Sequence, residues 1–102
     1  MNMKEICNVK EFSGDNSHKE LKHMISDVPI PEKKKVLDYL KSFVPDCAAG
    51  MCLTDEITGK DVNLSVEGYE DDAYYWDTRY IYHFEKYNLK LNDDFISHVL
   101  AR

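Results

Sequence analysis

Acids and histidines are the side chains of this sequence whose types and spacing could carry out chemistry. Asp71 and Asp72 are adjacent and follow Glu70 directly, and neighbouring carboxylates can serve a hydrolase or hold Mg²⁺. His18 and His23 are five residues apart, not the four that would place two metal ligands on one helix face. The chain also contains no CxxC or HxxxH pair to complete a zinc site. We therefore expect solvated acids, with no metal site, no cofactor and no catalytic residue.

Cysteines and glycines add no further chemistry. The three cysteines, Cys7, Cys47 and Cys52, are odd in number and lack framework spacing, which favours reduced thiols. Cys47 and Cys52 fall in an uncharged run that reads as a buried strand, so we expect both thiols to be buried and unreactive. The four glycines are scattered and form no phosphate-binding motif. We expect the protein not to be an enzyme.

The net charge of −6 is concentrated in the middle of the chain. Residues 1–46 carry eight lysines and eight acids, residues 47–77 carry eight acids against Lys60 alone, and residues 78–102 carry four bases and three acids. An acidic face repels phosphate, which argues against a direct nucleic-acid ligand. It steers basic partners instead and raises their association rate.

The acidic region reads as β structure. Val62, Leu64 and Val66 alternate with polar residues, which predicts a strand with one buried face. The pattern breaks at Gly68 and resumes over Ala73–Trp76, as expected for a hairpin. Together with the run Cys47–Thr54 and a turn over 55–60, these segments predict a three-stranded antiparallel meander.

Helices are predicted on both sides of this meander. Ser17 and Glu20 have capping-box spacing before a short helix that ends at Pro29, and a second helix fits between Pro31 and Pro45. Asp77 is a good N-cap for a helix over 78–87, and Asn92 for a final helix whose apolar stripe is Phe95, Ile96, Val99 and Leu100. Residues 1–16 show no clean period, and a short strand over 5–12 is left open. The fold class is α+β, a single domain over residues 1–102 with helices mainly on one face of the sheet.

Tyrosines near the second hairpin strand predict a binding surface. Five of the eight tyrosine and tryptophan residues lie between positions 74 and 82. If Tyr74 and Trp76 share a sheet face, Tyr75 must occupy the other, and Trp76 should lie beneath the helices. Tyrosines beside acids are typical of protein interfaces. The predicted binding residues are Glu67, Glu70, Asp71, Asp72, Tyr74, Tyr75 and Asp77.

About two thirds of the chain resembles a known family. The pieces are LDYLKS (37–42), AAGMCLTDEITGKDV (48–62), AYYW (73–76) and IYHFEKYNLKLNDDFISHVL (81–100). They resemble the immunity proteins of contact-dependent growth inhibition, called CdiI. The resemblance implies a cytoplasmic protein that neutralises the C-terminal toxin domain of a cognate CdiA effector, often a nuclease acting on tRNA. These families share no catalytic motif, so no site residue is carried over by position.

Two other functions remain open. The first is an antitoxin or adaptor that binds a partner without blocking a nuclease. The second is a small metal-dependent hydrolase using Asp71, Asp72 and a histidine. No apolar run is long enough for a membrane span and the N-terminus lacks a signal-peptide core, so we expect a protein away from membranes. A monomer is favoured, although a short open sheet allows dimerisation.

Overall fold

A four-stranded mixed sheet forms the centre of the fold in a computed structural model, which describes residues 3–102 except the side chains of Cys47 and Ala49. Its strands are β1 (Lys4–Glu5), β2 (Cys47–Thr54), β3 (Asp61–Glu70) and β4 (Tyr74–Asp77). The order across the sheet is β1-β4-β3-β2. Strands β2, β3 and β4 are antiparallel neighbours, as the sequence predicts. The α+β class is confirmed.

The prediction of three strands is wrong by one, because β1 joins the sheet. Lys4 and Glu5 pair in parallel with Tyr74 and Tyr75, and two residues are too few to show an alternating pattern. The segment 1–16 is therefore less irregular than expected, although its first two residues lie outside the described part. It also holds a one-turn helix α1 (Lys10–Ser13) and three buried side chains, Ile6, Cys7 and Val9.

The remaining helices are α2 (Lys33–Lys41), α3 (Thr78–Tyr87) and α4 (Asp93–Leu100). In α3, the Asp77 carboxylate accepts the amide of Arg79, and Asn88 closes the helix with a φ of 57°, both as expected. The helix predicted between Ser17 and Pro29 is wrong, since only a 3-10 turn over Leu21–His23 forms there. Ser17 does not act as a cap, because its backbone and hydroxyl both donate to Asp15.

Aromatic side chains fill the core between the sheet and the helices. Trp76 is 1% exposed and lies against Phe43, Tyr69 and Phe95, with ring centroids 5.3, 6.4 and 6.0 Å away. Tyr74 is also buried, whereas Tyr75 is 39% exposed, so the predicted division of these residues between two faces is confirmed. Within residues 3–102, no helix has the length and apolarity needed to cross a membrane.

Two irregularities distort the pairing of β2 with β3. The register shifts once between the pairs Ala48–Glu67 and Cys52–Ser65, and again before Thr54 pairs with Asp61. A φ of 70° at Gly50 and of 54° at Asn63 mark the two shifts.

These bulges correct the prediction that Val62, Leu64 and Val66 share one buried face. Val66 is 2% exposed, Val62 is partly buried and Leu64 is 48% exposed. A bulge changes the direction of the following side chains, which an alternation pattern in the sequence does not reveal.

Candidate functional site

The seven predicted binding residues do not form one free surface. Tyr74 is buried and its hydroxyl donates to Asp94 at 2.9 Å. Asp77 caps α3 and pairs with Arg79, with Oδ2 2.7 Å from Nη2. Both residues therefore hold the fold together, and their part in an interface stays a prediction.

Asp71 is also committed inside the protein. Its side chain is 2% exposed. The Oδ1 atom accepts the amides of Ala73 and Tyr74 at 2.8 and 2.7 Å, which closes the turn between β3 and β4. The Oδ2 atom accepts the Tyr39 hydroxyl at 2.6 Å and lies 2.8 Å from Nε2 of His98. Burial raises the pKa of Asp71, but these four hydrogen bonds outweigh it and lower the pKa to about 2.

Asp71, Asp72 and His98 place three ligand atoms within 4.8 Å of one another. The neighbouring Arg102 also occupies this cluster: its Nη2 atom bonds Asp72 and lies 3.1 Å from Nε2 of His98. A metal ion there would face the guanidinium charge, and Asp71 would have to give up existing hydrogen bonds. The geometry is that of an ion-pair network joining the β3–β4 turn to α4 and the C-terminus.

A second buried aspartate, Asp55, has the same arrangement at the β2–β3 turn. Its side chain is 2% exposed, and Oδ1 accepts the amides of Ile57 and Thr58 at 2.9 and 3.0 Å. Its Oδ2 accepts the hydroxyls of Tyr82 and Tyr87 at 2.7 and 2.5 Å. Burial raises the pKa of Asp55, but these hydrogen bonds outweigh it and hold the pKa well below its usual range. The sequence suggests only a turn residue here, since the two tyrosines lie 27 and 32 positions away.

His83 packs beside this turn as a neutral side chain. It is fully buried, and burial lowers its pKa. Its Nε2 accepts the amide of Glu56 at 3.1 Å while Nδ1 lies 2.8 Å from the carbonyl of Arg79. Both ring nitrogens are therefore occupied, so His83 joins α3 to the turn and is not free to transfer protons.

Acids without a cationic partner gather on another part of the central region. We name β2, β3 and their turn, with the residue before β2, the acidic hairpin. Among the described residues, five of its carboxylates have no cation within ion-pair distance. They are Asp46, Glu56, Asp61, Glu67 and Glu70. All are exposed except Glu67, which is half-buried, so most of this charge faces solvent.

Like charges are crowded at one end of the acidic hairpin. The Asp46 carboxyl lies close enough to interact with Glu70 and raises its pKa. Glu70 also pairs across the sheet with Tyr75, which pairs in turn with Glu5. The three side chains therefore share one face, and the Tyr75 hydroxyl donates to Glu5 at 2.7 Å. Of the seven predicted residues, Glu67, Glu70, Asp72 and Tyr75 remain at or near the surface.

Apolar side chains are exposed among these acids. Met51 is 49% exposed, Leu64 is 48% and Ile57 is 38%. Cys52 is exposed, which corrects the expectation that its thiol is buried; the Cys47 thiol lies outside the described side chains. Apolar and charged side chains exposed on one hairpin fit the composition of a protein-binding surface, which has an apolar core and a polar rim. The strict alternation in the sequence had assigned Leu64 to the core.

Comparison with known proteins adds no family to this description. No protein-family model, no curated protein and no solved structure matches the chain.

Proposed function

We propose that this protein is an immunity protein that binds and neutralises a basic toxin domain through the acidic hairpin. The observation that carries the proposal is that the acidic hairpin combines five carboxylates without a cationic partner among the described residues with exposed Met51, Ile57 and Leu64. The toxin is a nuclease of the CdiA-effector type, and the protein acts in the cytoplasm by binding alone. The resemblance in sequence supports the same function.

The electrostatics favour such a partner. A nuclease site attracts phosphate and is therefore basic, so a surface of carboxylates can take the place of nucleic acid. A side-chain hydrogen bond with Asp46, and then the charge of that carboxyl, raise the pKa of Glu70. A lysine or arginine of the partner would offset this charge. Charge pairs desolvated at an interface couple by ~1.5–7 kcal/mol. The half-exposed Tyr75 offers an aromatic anchor next to these charges.

The alternatives have weaker support. A hydrolase using Asp71, Asp72 and His98 would need these groups free, yet they bond to Tyr39, to Arg102 and to the backbone of their own turn. An antitoxin or adaptor that leaves its partner's active site open would use the same kind of surface. It is distinguished by whether the bound toxin keeps its nuclease activity.

The test measures binding to the toxin domain that an immunity protein should have encoded immediately upstream of it. A double reversal, Asp61→Lys with Glu70→Lys, removes charge from both ends of the acidic hairpin. We expect the association rate constant to fall about ten- to a hundredfold at low salt, and the wild-type rate to fall as salt is raised. Toxin activity should be blocked by the wild-type protein.

The matched control is Asp38→Lys with Asp93→Lys, which changes the net charge equally. Both control acids are exposed and lie on helices outside the acidic hairpin, in α2 and at the start of α4. Melting temperatures establish that all variants are folded. Equal loss of binding in both double variants, or no loss in either, contradicts the acidic hairpin as the interface.

A further inference from the structure

We infer that the toxin pairs an extended segment of its own chain with the free edge of β2, so that the sheet continues into the partner. This inference rests on the proposed function and names how the acidic hairpin is engaged. The segment that the toxin contributes is an extended strand carrying lysine or arginine side chains. It docks on the half of β2 that contains Met51, Cys52, Leu53 and Thr54.

The position of β2 in the sheet is the first reason. Within residues 3–102, β2 has one neighbouring strand, β3, and no described backbone hydrogen bond runs from its other side to another element. The opposite edge, β1, is only two residues long. Eight residues of open strand present a row of unpaired amides and carbonyls, and natural proteins usually block such an edge with lysines or proline. Within Cys47–Thr54 there is no charged residue and no proline.

The bulge at Gly50 limits where a partner can pair. Its φ of 70° and the register shift after Ala48 interrupt the strand. The second register shift, before Thr54, is marked by Asn63 on β3, so β2 itself has no positive φ from Met51 onward. Four residues at about 3.3 Å each offer roughly 13 Å of edge. This stretch is also where Met51 and Cys52 are exposed and Leu53 is fully buried. An added strand would therefore cover apolar surface as well as form backbone hydrogen bonds.

Charge decides in favour of a basic partner over a second copy of this chain. Asp61 lies directly across from Thr54 on β3, Glu56 follows β2 in the turn, and Glu67 lies opposite Ala48. Lys60 is the single base between β2 and β4. Two copies paired through β2 would place their β3 acids about three strand spacings apart, roughly 14 Å, where the like charges repel each other at low salt. A strand with lysines or arginines meets the same acids with attraction.

The first experiment follows backbone amide exchange in this chain, alone and bound to the toxin domain encoded upstream. We expect the amides of 51–54 that point away from β3 to exchange at least about tenfold more slowly in the complex, because a hydrogen-bonded amide exchanges only through opening. The amides of Lys4 and Glu5 in β1 serve as an internal control and should not change. A complex in which the β2 amides keep their free exchange rates overturns the inference while leaving the proposed function intact.

The second experiment separates the edge from the face of the sheet. Cys52 on β2 and Ser65 on β3 are direct pair partners and both are exposed, so each can accept a lysine. We expect Cys52→Lys to weaken binding at least about tenfold more than Ser65→Lys, since lysine on an edge opposes strand addition. Equal effects indicate docking on the face and overturn the inference. A dimer of the free chain with slowed β2 exchange overturns it as well, whereas absence of any binding rejects the proposed function itself.

Discussion

Replacing Asp71 by asparagine removes the carboxylate that joins the β3–β4 turn to two helices. The amide oxygen of asparagine can still accept the Ala73 and Tyr74 amides at the Oδ1 position. At the Oδ2 position an NH₂ group would replace the acceptor that now faces the Tyr39 hydroxyl at 2.6 Å and Nε2 of His98 at 2.8 Å. The substitution therefore tests the two long-range contacts while keeping the local turn.

The size of the effect follows from the hydrogen bonds and the pKa. Hydrogen bonds to a charged group contribute ~1.5–3 kcal/mol each. Asp71→Asn loses the bonds to Tyr39 and His98, and rotation of the Tyr39 hydroxyl regains part of this energy. We therefore expect the unfolding free energy to fall by about 3 kcal/mol near neutral pH. The pKa supplies a second measure. At about 1.36 kcal/mol per pKa unit, the drop from 3.8 to about 2 corresponds to about 2 kcal/mol of pH-dependent stability.

The sign of the pH dependence is determined by the direction of that pKa. The folded-state pKa of Asp71 lies below the unfolded value, so the wild-type protein keeps this stabilisation above about pH 4. It loses the stabilisation as pH falls from about 4 to about 2. Urea unfolding of both proteins at several pH values measures the difference in unfolding free energy. That difference should shrink by about 2 kcal/mol between pH 5 and pH 2.

The adjacent Asp72 provides the matched control. Its side chain is 71% exposed and pairs with Arg102 at the surface, so Asp72→Asn should change the unfolding free energy by less than about 1 kcal/mol. A difference between wild type and Asp71→Asn that stays constant from pH 7 to pH 2 would refute the assignment of the low pKa. Equal effects of the two substitutions would refute the assignment of the buried network.

Two further comparisons test the structure against its sequence. Val66→Ala should lower the unfolding free energy by about 2 kcal/mol through loss of buried surface. Leu64→Ala should lower it by less than about 1 kcal/mol, because Leu64 is half-exposed. Equal losses in urea unfolding would mean that Leu64 and Val66 are buried on the same face, as the alternation in the sequence predicts. Tyr87→Phe should lower the unfolding free energy by about 1–2 kcal/mol, because the buried Asp55 carboxylate loses a hydrogen bond. Tyr69→Phe should lower it less, because the Tyr69 hydroxyl has no hydrogen-bond partner among the described residues. A lower melting temperature for Tyr69→Phe than for Tyr87→Phe would contradict the Asp55 network.

Local patterns in the sequence were sufficient for much of the fold. Asp77 and Asn92 predict the observed starts of α3 and α4, because helix ends depend on neighbouring residues. The Asp77 side chain caps α3, whereas the Asn92 side chain makes no capping hydrogen bond. The three antiparallel strands follow from alternation and turn residues. The helix predicted before Pro29 failed because Ser17 bonds Asp15 instead of capping, a competition between two local uses of the same residue.

The candidate site was predicted less well than the fold, because its contacts join residues that are far apart in the sequence. The sequence identified an acidic central region, and Glu67 and Glu70 belong both to the predicted binding residues and to the acids of the hairpin that have no cationic partner among the described residues. It gave no means of separating Glu70 from Asp71, which are adjacent in the chain. Glu70 is exposed, whereas Asp71 is held by Tyr39 and His98, which lie 32 and 27 residues away.

The sequence by itself thus determined the acidic charge of the central strands, the division of Tyr74, Tyr75 and Trp76 between two faces, and the C-terminal helices. Each depends on composition or on spacing of a few residues. Only the tertiary structure decided which acids are neutralised within the fold, that β2 is the open edge, and that Leu64 faces solvent. These properties depend on strand order, on the bulges and on partners distant in sequence. Such long-range contacts produce no periodic pattern in the local sequence from which they could be predicted.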